Sequence, residues 1–331
     1  MRIALDAMGS DRAPAVEVAG AIGALHSLEV GFQLVFVGDR EKIEQELLRF
    51  PDAPRDRIEI VHAPQRIEMN ESPVAAVRRK RDSSIAVGLD LHAKREVDAF
   101  ISAGSTGAVL AGSLMILGAL PGVERPSVGA IMPSSKGHIL LVDAGANVDT
   151  RPSHLLQFAH LGATYAADIM GVPSPRVGLL SVGAEPEKGD ERTIQAHQLL
   201  TSSGLNFVGN IEGRDIIGHR CDVLVSDGFA GNVLLKFYES VAGFFLQLLE
   251  EAAAKANASI DLQSLYRVLD YAEYGGAPLL GVDGVVIICH GGSPPYAISN
   301  AIRVATQSIE HDLVSRIRNR VNSIRAPGGV S

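Results

Sequence analysis

The chain of 331 residues is 46% hydrophobic and 21% charged, a balance that fits a soluble α/β protein of one large unit or two units sharing a sheet. Its 38 acidic and 30 basic side chains leave a formal charge of −8, which excludes broad nucleic-acid binding and confines any acidic partner to a locally basic patch. No apolar run approaches the roughly 20 residues that span a bilayer. The chain opens on a strand rather than a leader, and its two distant cysteines, Cys221 and Cys289, fit buried thiols of a reducing compartment, so a cytoplasmic location is expected.

Ile3–Leu5 reads as the first strand, Ala7–Pro14 as a turn, and Ala15–Leu28 has helical apolar spacing. Strand Gln33–Val37, helix Arg40–Leu48 and strand Ile58–Val61 follow, then a looser stretch, Ala63–Glu71, and one helix from Pro73 to Ala93. Strands alternating with helices of this length predict right-handed crossovers and a mostly parallel sheet. Further helices are predicted at Ser105–Leu117, Pro152–Met170 and Glu191–Ser202, with Val128–Met132 and Ile139–Val142 forming an antiparallel hairpin insertion. A long helix over Asn232–Ala256, a turn at Asn257–Ile260 and a second helix over Leu262–Tyr271 make a helical excursion, residues 232–271. Its most apolar part holds Phe244, Phe245, Leu248 and Leu249, expected to meet a second copy of the chain, with a membrane surface as the alternative. The last helix is Pro295–Val321, and residues 326–331 read as a disordered tail. The expectation for residues 1–325 is a single α/β/α unit, or two subdomains around a central cleft.

Five apolar runs end in glycine-rich, small-polar loops that open into helices: Ala99–Gly112, Ile139–Asp149, Val177–Asp190, Val223–Lys236 and Val285–Ile298. Glycine lets a backbone approach a ligand closely, and a helix N-terminus presents unpaired N–H groups. Gathered at the C-terminal edge of one sheet, such loops would form a crevice for a phosphate-like anion. The G-x-G-x-x-G, P-loop and G-x-S-x-G patterns are missing, as is any H-E-x-x-H spacing, so neither a cofactor nor a metal is expected. Lys188 could neutralise a phosphate or a tetrahedral oxyanion, or be a solvated loop lysine. Asn232 could cap its helix or donate its amide to a substrate carbonyl; Ser105 and Thr106 are caps or phosphate donors. The consecutive cations Arg78, Arg79, Lys80 and Arg81 are a solvated face or a landing site for an acidic macromolecule.

Taken in order, Ile3–Pro14 (IALDAMGSDRAP), Ala76–Ser83 (AVRRKRDS), Ile101–Ala108 (ISAGSTGA), Asp143–Asp149 (DAGANVD), Asn206–Asp215 (NFVGNIEGRD), Ser226–Val233 (SDGFAGNV) and Tyr274–Gly284 (YGGAPLLGVDG) resemble the PlsX family, the acyl-[acyl-carrier-protein]:phosphate acyltransferases. The resemblance implies a three-layer α/β/α sandwich with a mostly parallel sheet, similar to isocitrate and isopropylmalate dehydrogenases and to phosphotransacetylases, with the helical excursion protruding. It implies a homodimer that makes acyl phosphate from inorganic phosphate and the acyl carrier protein thioester, for phospholipid synthesis. By motif match Lys188 and Asn232 are the catalytic positions. Asp6, Gly9, Gly104, Ser105, Thr106, Gly107, Asp143, Asn147, Gly183, Asp227, Gly231, His290 and Gly291 are expected to bind substrate, and Arg78 to Arg81 to meet the carrier protein. Contact with the inner membrane face and with a downstream glycerol-3-phosphate acyltransferase is a further expectation. Ser10 stands where the family usually has glycine, and Arg12 where it has histidine. The alternatives are a phosphotransacetylase-like enzyme using an acyl-CoA thioester and a non-catalytic membrane-associated scaffold.

Overall fold

The computed structural model describes residues 1–256 and 271–325. Short apolar runs form the strands, as burial on both faces requires. The first half of the chain builds β1 (Arg2–Asp6), α1 (Ala15–Ser27), β2 (Gln33–Gly38), α2 (Arg40–Leu47), β3 (Ile58–His62), α3 (Pro73–Arg79), α4 (Ser84–Ala93), β4 (Ala99–Ser102) and α5 (Thr106–Ile116). Next come β5 (Ser127–Ser134), β6 (Gly137–Val142), α6 (Pro152–Asp168), β7 (Val177–Leu180), α7 (Glu191–Thr201), β8 (Phe207–Ile211), α8 (Gly213–Ile217) and β9 (Val223–Val225). The chain ends with α9 (Gly228–Ala256), β10 (Ala277–Leu280), β11 (Val285–Ile288), α10 (Pro295–Glu310) and α11 (Leu313–Arg325).

Among the described residues all strands join one sheet, in the order β3-β2-β1-β4-β11-β10-β5-β6-β9-β7-β8. The group β3-β2-β1-β4-β11 is parallel throughout, and so is β6-β9-β7-β8. Three antiparallel pairings, β11 with β10, β10 with β5 and β5 with β6, lie between them. Three reversals make the two parallel groups run in opposite directions. The loops therefore do not share one edge of the sheet, as the sequence reading expected. They converge because the groups are staggered. Ala277 pairs with Ile288 of β11, whereas Leu279, two residues on, pairs with Val128 of β5, and Gly129 pairs with Val142 at the end of β6. The C-terminal tips of β11 and β6 thus reach nearly the same level from opposite sides.

Helices cover both faces. Ile3, Leu5 and Ile101 pack with α1 and α10, while Ala4 and Phe100 turn to α4 and α5. In the second group Val142, Val177 and Val223 pack under α6, α7 and α11. Alternate strand residues supply the two cores, as the period of the pleat dictates.

Three predicted elements differ from the observed ones. The helix expected over Pro73–Ala93 is two, because Lys80 leaves helical geometry and Ser83 caps α4, its Oγ accepting from Ala86 N at 3.3 Å. The helix expected over Pro295–Val321 is also two, separated where Asp312 takes a left-handed φ of 50°. Asn232 does not cap α9. That helix starts four residues earlier, with Asp227 Oδ1 accepting from Phe229 N (2.9 Å) and Ala230 N (3.0 Å). The predicted turn at Asn257–Ile260 and nearly all of the predicted helix Leu262–Tyr271 fall outside the described residues, as does the tail 326–331. Among the described residues no helix is long and apolar enough to cross a membrane.

Candidate active site

The tips of β1, β4 and β11 form one side of the site. Gly9 lies so close to the β4 tip that a Cβ would sit 2.6 Å from Gly104 N, which fixes glycine there. Asp6 is buried beneath this contact, its Oδ1 accepting from Met8 N (3.0 Å) and Oδ2 from Ser102 Oγ (2.7 Å). Ser102 Oγ in turn accepts from Gly104 N at 3.0 Å. Burial pushes the Asp6 carboxyl above its usual pKa, against the pull of these donors and of Arg66. Asp6 therefore shapes two loops through their amides. Ser105 caps α5, accepting from Ala108 N at 3.4 Å, which leaves Thr106 on the first turn. Asp11 N donates to Gly291 O (2.9 Å) and ties the β1 loop to His290–Gly291 after β11.

The opposing side comes from β6, β9 and β7. The Asp143 carboxylate is an internal clamp: Oδ1 accepts from Gly145 N (3.0 Å) and Ala146 N (2.7 Å), and Oδ2 from both the backbone N–H and the side-chain amide of Asn147 (2.7 Å each). Burial raises its pKa while these donors favour the ionised form. Asn147 also donates to Pro126 O (2.8 Å), so Asp143 and Asn147 hold the loop that α9 rests on. The fit there is close. A Cβ on Gly231 would lie 1.9 Å from Asp143 O. Asn232, one turn into α9, places its amide against Gly145.

Asp227 caps α9 with one oxygen and accepts from Arg192 Nη2 at 3.1 Å with the other. Arg192, which sequence reasoning missed, also reaches Asp190 (3.0 Å) and Thr150 Oγ1 (3.2 Å). It thereby joins the tips of β6, β7 and β9. Lys188 stands on the β7 loop two residues before Asp190, with its side chain exposed and its stem folded over Gly183. Lys188 O accepts from Ser181 Oγ at 3.2 Å, and Glu185 O, on the same loop, accepts from Asn210 Nδ2 at 2.8 Å.

A cavity of about 150 Å³ opens between the two sides. Thr106, Cys289 and His290 wall it from one side, Ala144 and Asn232 from the other, and Val128, Ala130, Ile131, Leu235 and Ala277 make the remainder mostly apolar. Of the predicted site residues, the substrate-binding Thr106 and His290 and the catalytic Asn232 line it directly. Ser105, Gly107, Gly231 and Gly291 are their chain neighbours, and Asp143 precedes the lining residue Ala144. Asp6, Gly9, Gly104, Asn147 and Asp227 support the loops from behind, and Gly183 and Lys188 lie outside the wall. Sequence reasoning missed Lys236 and Glu239, paired at 2.8 Å; both follow Asn232 at helical spacing and wall the same cavity. Burial pushes the Cys289 thiol up to about 12, so it stays protonated. No group of three His, Cys, Asp or Glu among the described residues could hold a metal.

The predicted contact residues fall on two surfaces. Arg78, Arg79 and Arg81 are exposed, but Lys80 turns inward to pair with Glu71 and donate to Arg66 O at 2.7 Å. Phe244, Phe245, Leu248 and Leu249 are exposed on α9, and Phe229, Val233 and Phe237 extend the same exposed apolar surface toward the cavity.

A family profile described as "fatty acid synthesis protein" matches residues 1–316. The phosphate acyltransferase of Desulforamulus reducens is 48% identical over 330 residues, 98% of each chain. That of Pelotomaculum thermopropionicum is 47% identical over 336 residues, 99% of this chain and 97% of the relative. Among solved structures, a phosphotransacetylase from Streptococcus pyogenes superposes with a TM-score of 0.65 at 18% identity, over 94% of each chain. The EutD phosphotransacetylase from Staphylococcus aureus gives 0.61 at 17% identity, over 93% of this chain and 94% of the other. At such identities the likeness is one of fold.

Proposed function

The chain belongs to the PlsX family of phosphate acyltransferases, and from that premise we propose that it moves the acyl group of an acyl-carrier-protein thioester onto inorganic phosphate. The observation that carries this reading is the cavity between the two sets of strand tips. Its walls are mostly apolar, as an acyl chain needs, and Thr106, Asn232, His290 and the Lys236–Glu239 pair bring polar groups to it.

Phosphate is ionised at neutral pH and needs no base. One of its oxygens attacks the thioester carbonyl, the C–O bond forms, the C–S bond breaks, and the carrier's thiolate leaves and takes a proton from water. Holding both reactants at one junction lowers the barrier by proximity, and donors aimed at the developing oxyanion lower it further. We assign the oxyanion to the Asn232 amide and nearby loop N–H groups, and the charge of phosphate to Lys188. The Arg192 junction with Asp190 and Asp227 supports this pairing, because it holds the Lys188 loop against the start of the helix that carries Asn232.

An acidic carrier would approach over Arg78, Arg79 and Arg81. A second copy of the chain would cover part of the apolar face of α9, leaving its end for the inner membrane face, where acyl phosphate passes to a glycerol-3-phosphate acyltransferase. The test supplies acyl-carrier-protein and acyl-CoA thioesters, each with and without phosphate. Acyl phosphate and free thiol should form from the carrier thioester only when phosphate is present. Preference for the CoA thioester would overturn the substrate assignment, and thiol release independent of phosphate would overturn the reaction.

A further inference from the structure

A second cavity, of about 290 Å³, opens between the β5–β6 hairpin, the end of α6 and the middle of α10. Ile131 and Tyr274 wall both cavities, so the two are neighbours, but the linings otherwise differ. The second is rich in donors. Lys136 on the hairpin and Arg303 on α10 line it, and neither has a carboxylate partner among the described residues; Arg303 reaches only Asn300 Oδ1, at 3.4 Å. Tyr165, 1% exposed, forms another wall. Its hydroxyl makes no hydrogen bond with the described residues, and the charge of Arg303 acts on it.

His138 packs against Tyr274 with ring centroids 4.5 Å apart and the rings tilted by 59°, and adds a further polar edge. Asp222 is the one carboxylate in the described wall, and it is fully engaged. It accepts from Arg176 Nε (3.0 Å) and Nη2 (2.9 Å), and its Oδ1 lies 3.1 Å from His219 Nε2. Ile131, Ile169, Met170 and Val304 supply aliphatic surface. Among the described residues, a hydroxyl without an acceptor and two cations without a carboxylate partner favour a ligand that brings negative oxygen.

We propose that this cavity binds an organic anion with an aliphatic body, its head between Lys136, Arg303 and the Tyr165 hydroxyl and its tail against Ile131, Ile169 and Met170. Carboxylate and phosphate monoester heads share the required chemistry. The site is independent of the acyl-transfer reading, since none of its donors belongs to the machinery assigned to that reaction.

Crystals of the full chain soaked in octyl phosphate should hold it here, within hydrogen-bond distance of Tyr165 Oη. Calorimetry with octyl phosphate and with octanoate tells which head is preferred, and inorganic phosphate alone should bind at least tenfold more weakly than octyl phosphate. Tyr165→Phe, which keeps the ring, should weaken binding about tenfold. The Lys136→Ala, Arg303→Ala double variant should abolish this binding component while leaving the melting temperature and turnover in place. Octyl phosphate found only in the first cavity, no binding of either probe, or equal affinity in all variants would overturn the proposal.

Discussion

Cys289 shows how local environment decides chemistry. It is a cavity-lining thiol beside a histidine, which in a polar setting would suggest a nucleophile. Burial instead holds it protonated, with a pKa of about 12. Direct attack by phosphate therefore predicts that Cys289→Ala keeps kcat within a few-fold; a loss of several orders of magnitude with an intact melt would indicate a covalent acyl-enzyme. Lys188→Ala should lower kcat by on the order of 10²-fold, the usual cost of removing one oxyanion or phosphate contact. Unchanged turnover would remove Lys188 from the mechanism. Sequence made the glycines and the strand-end polar residues visible, but it could not separate the groups that touch the cavity from those behind them. Asp143 illustrates this. Its carboxylate is filled by four donors from its own loop, which only coordinates reveal.

Helix α9 joins the cavity to an exposed apolar surface along a single element. Its composition was legible, whereas its start was not. Asp227–Gly–Phe–Ala–Gly resembles a loop, since two glycines disfavour a helix. Gly228 and Gly231 are nevertheless in α9, because a Cβ on either would collide with the β6 loop. That tertiary contact overrides local propensity and moves Asn232 from a cap to the second turn. The break at Lys80 has a similar cause, with its ammonium drawn inward to Glu71. The apolar face carries its own prediction: Leu248→Glu with Leu249→Glu should weaken binding to anionic vesicles or shift the chain toward monomer in sedimentation. Vesicle binding and oligomeric state both matching the native protein would leave this face without a docking role.

The two opposed parallel groups were beyond a local reading, because β10 and β11 come from the end of the chain and insert between β4 and β5. Their register sets how the strand tips meet, and no nearby residues encode it. One consequence for the whole fold is pH dependence. Glu17 is buried under the β1 loop, its Oε1 accepting from Ser10 N at 2.7 Å, and burial raises its pKa from 4.5 to about 7. The folded state then holds a proton that the unfolded chain releases above about 4.5, so this contribution is full at low pH and declines until about pH 7. Glu17→Gln should flatten the fall in stability across that window, measured by denaturant melts; an identical slope in both proteins would place the titration elsewhere. The central claim is that the two sets of tips form one site for phosphate and acyl group. A crystal structure with bound inorganic phosphate tests it most directly: the account predicts the anion between the β4 tip and Asn232, within reach of Lys188, and an anion bound only outside that junction would contradict it.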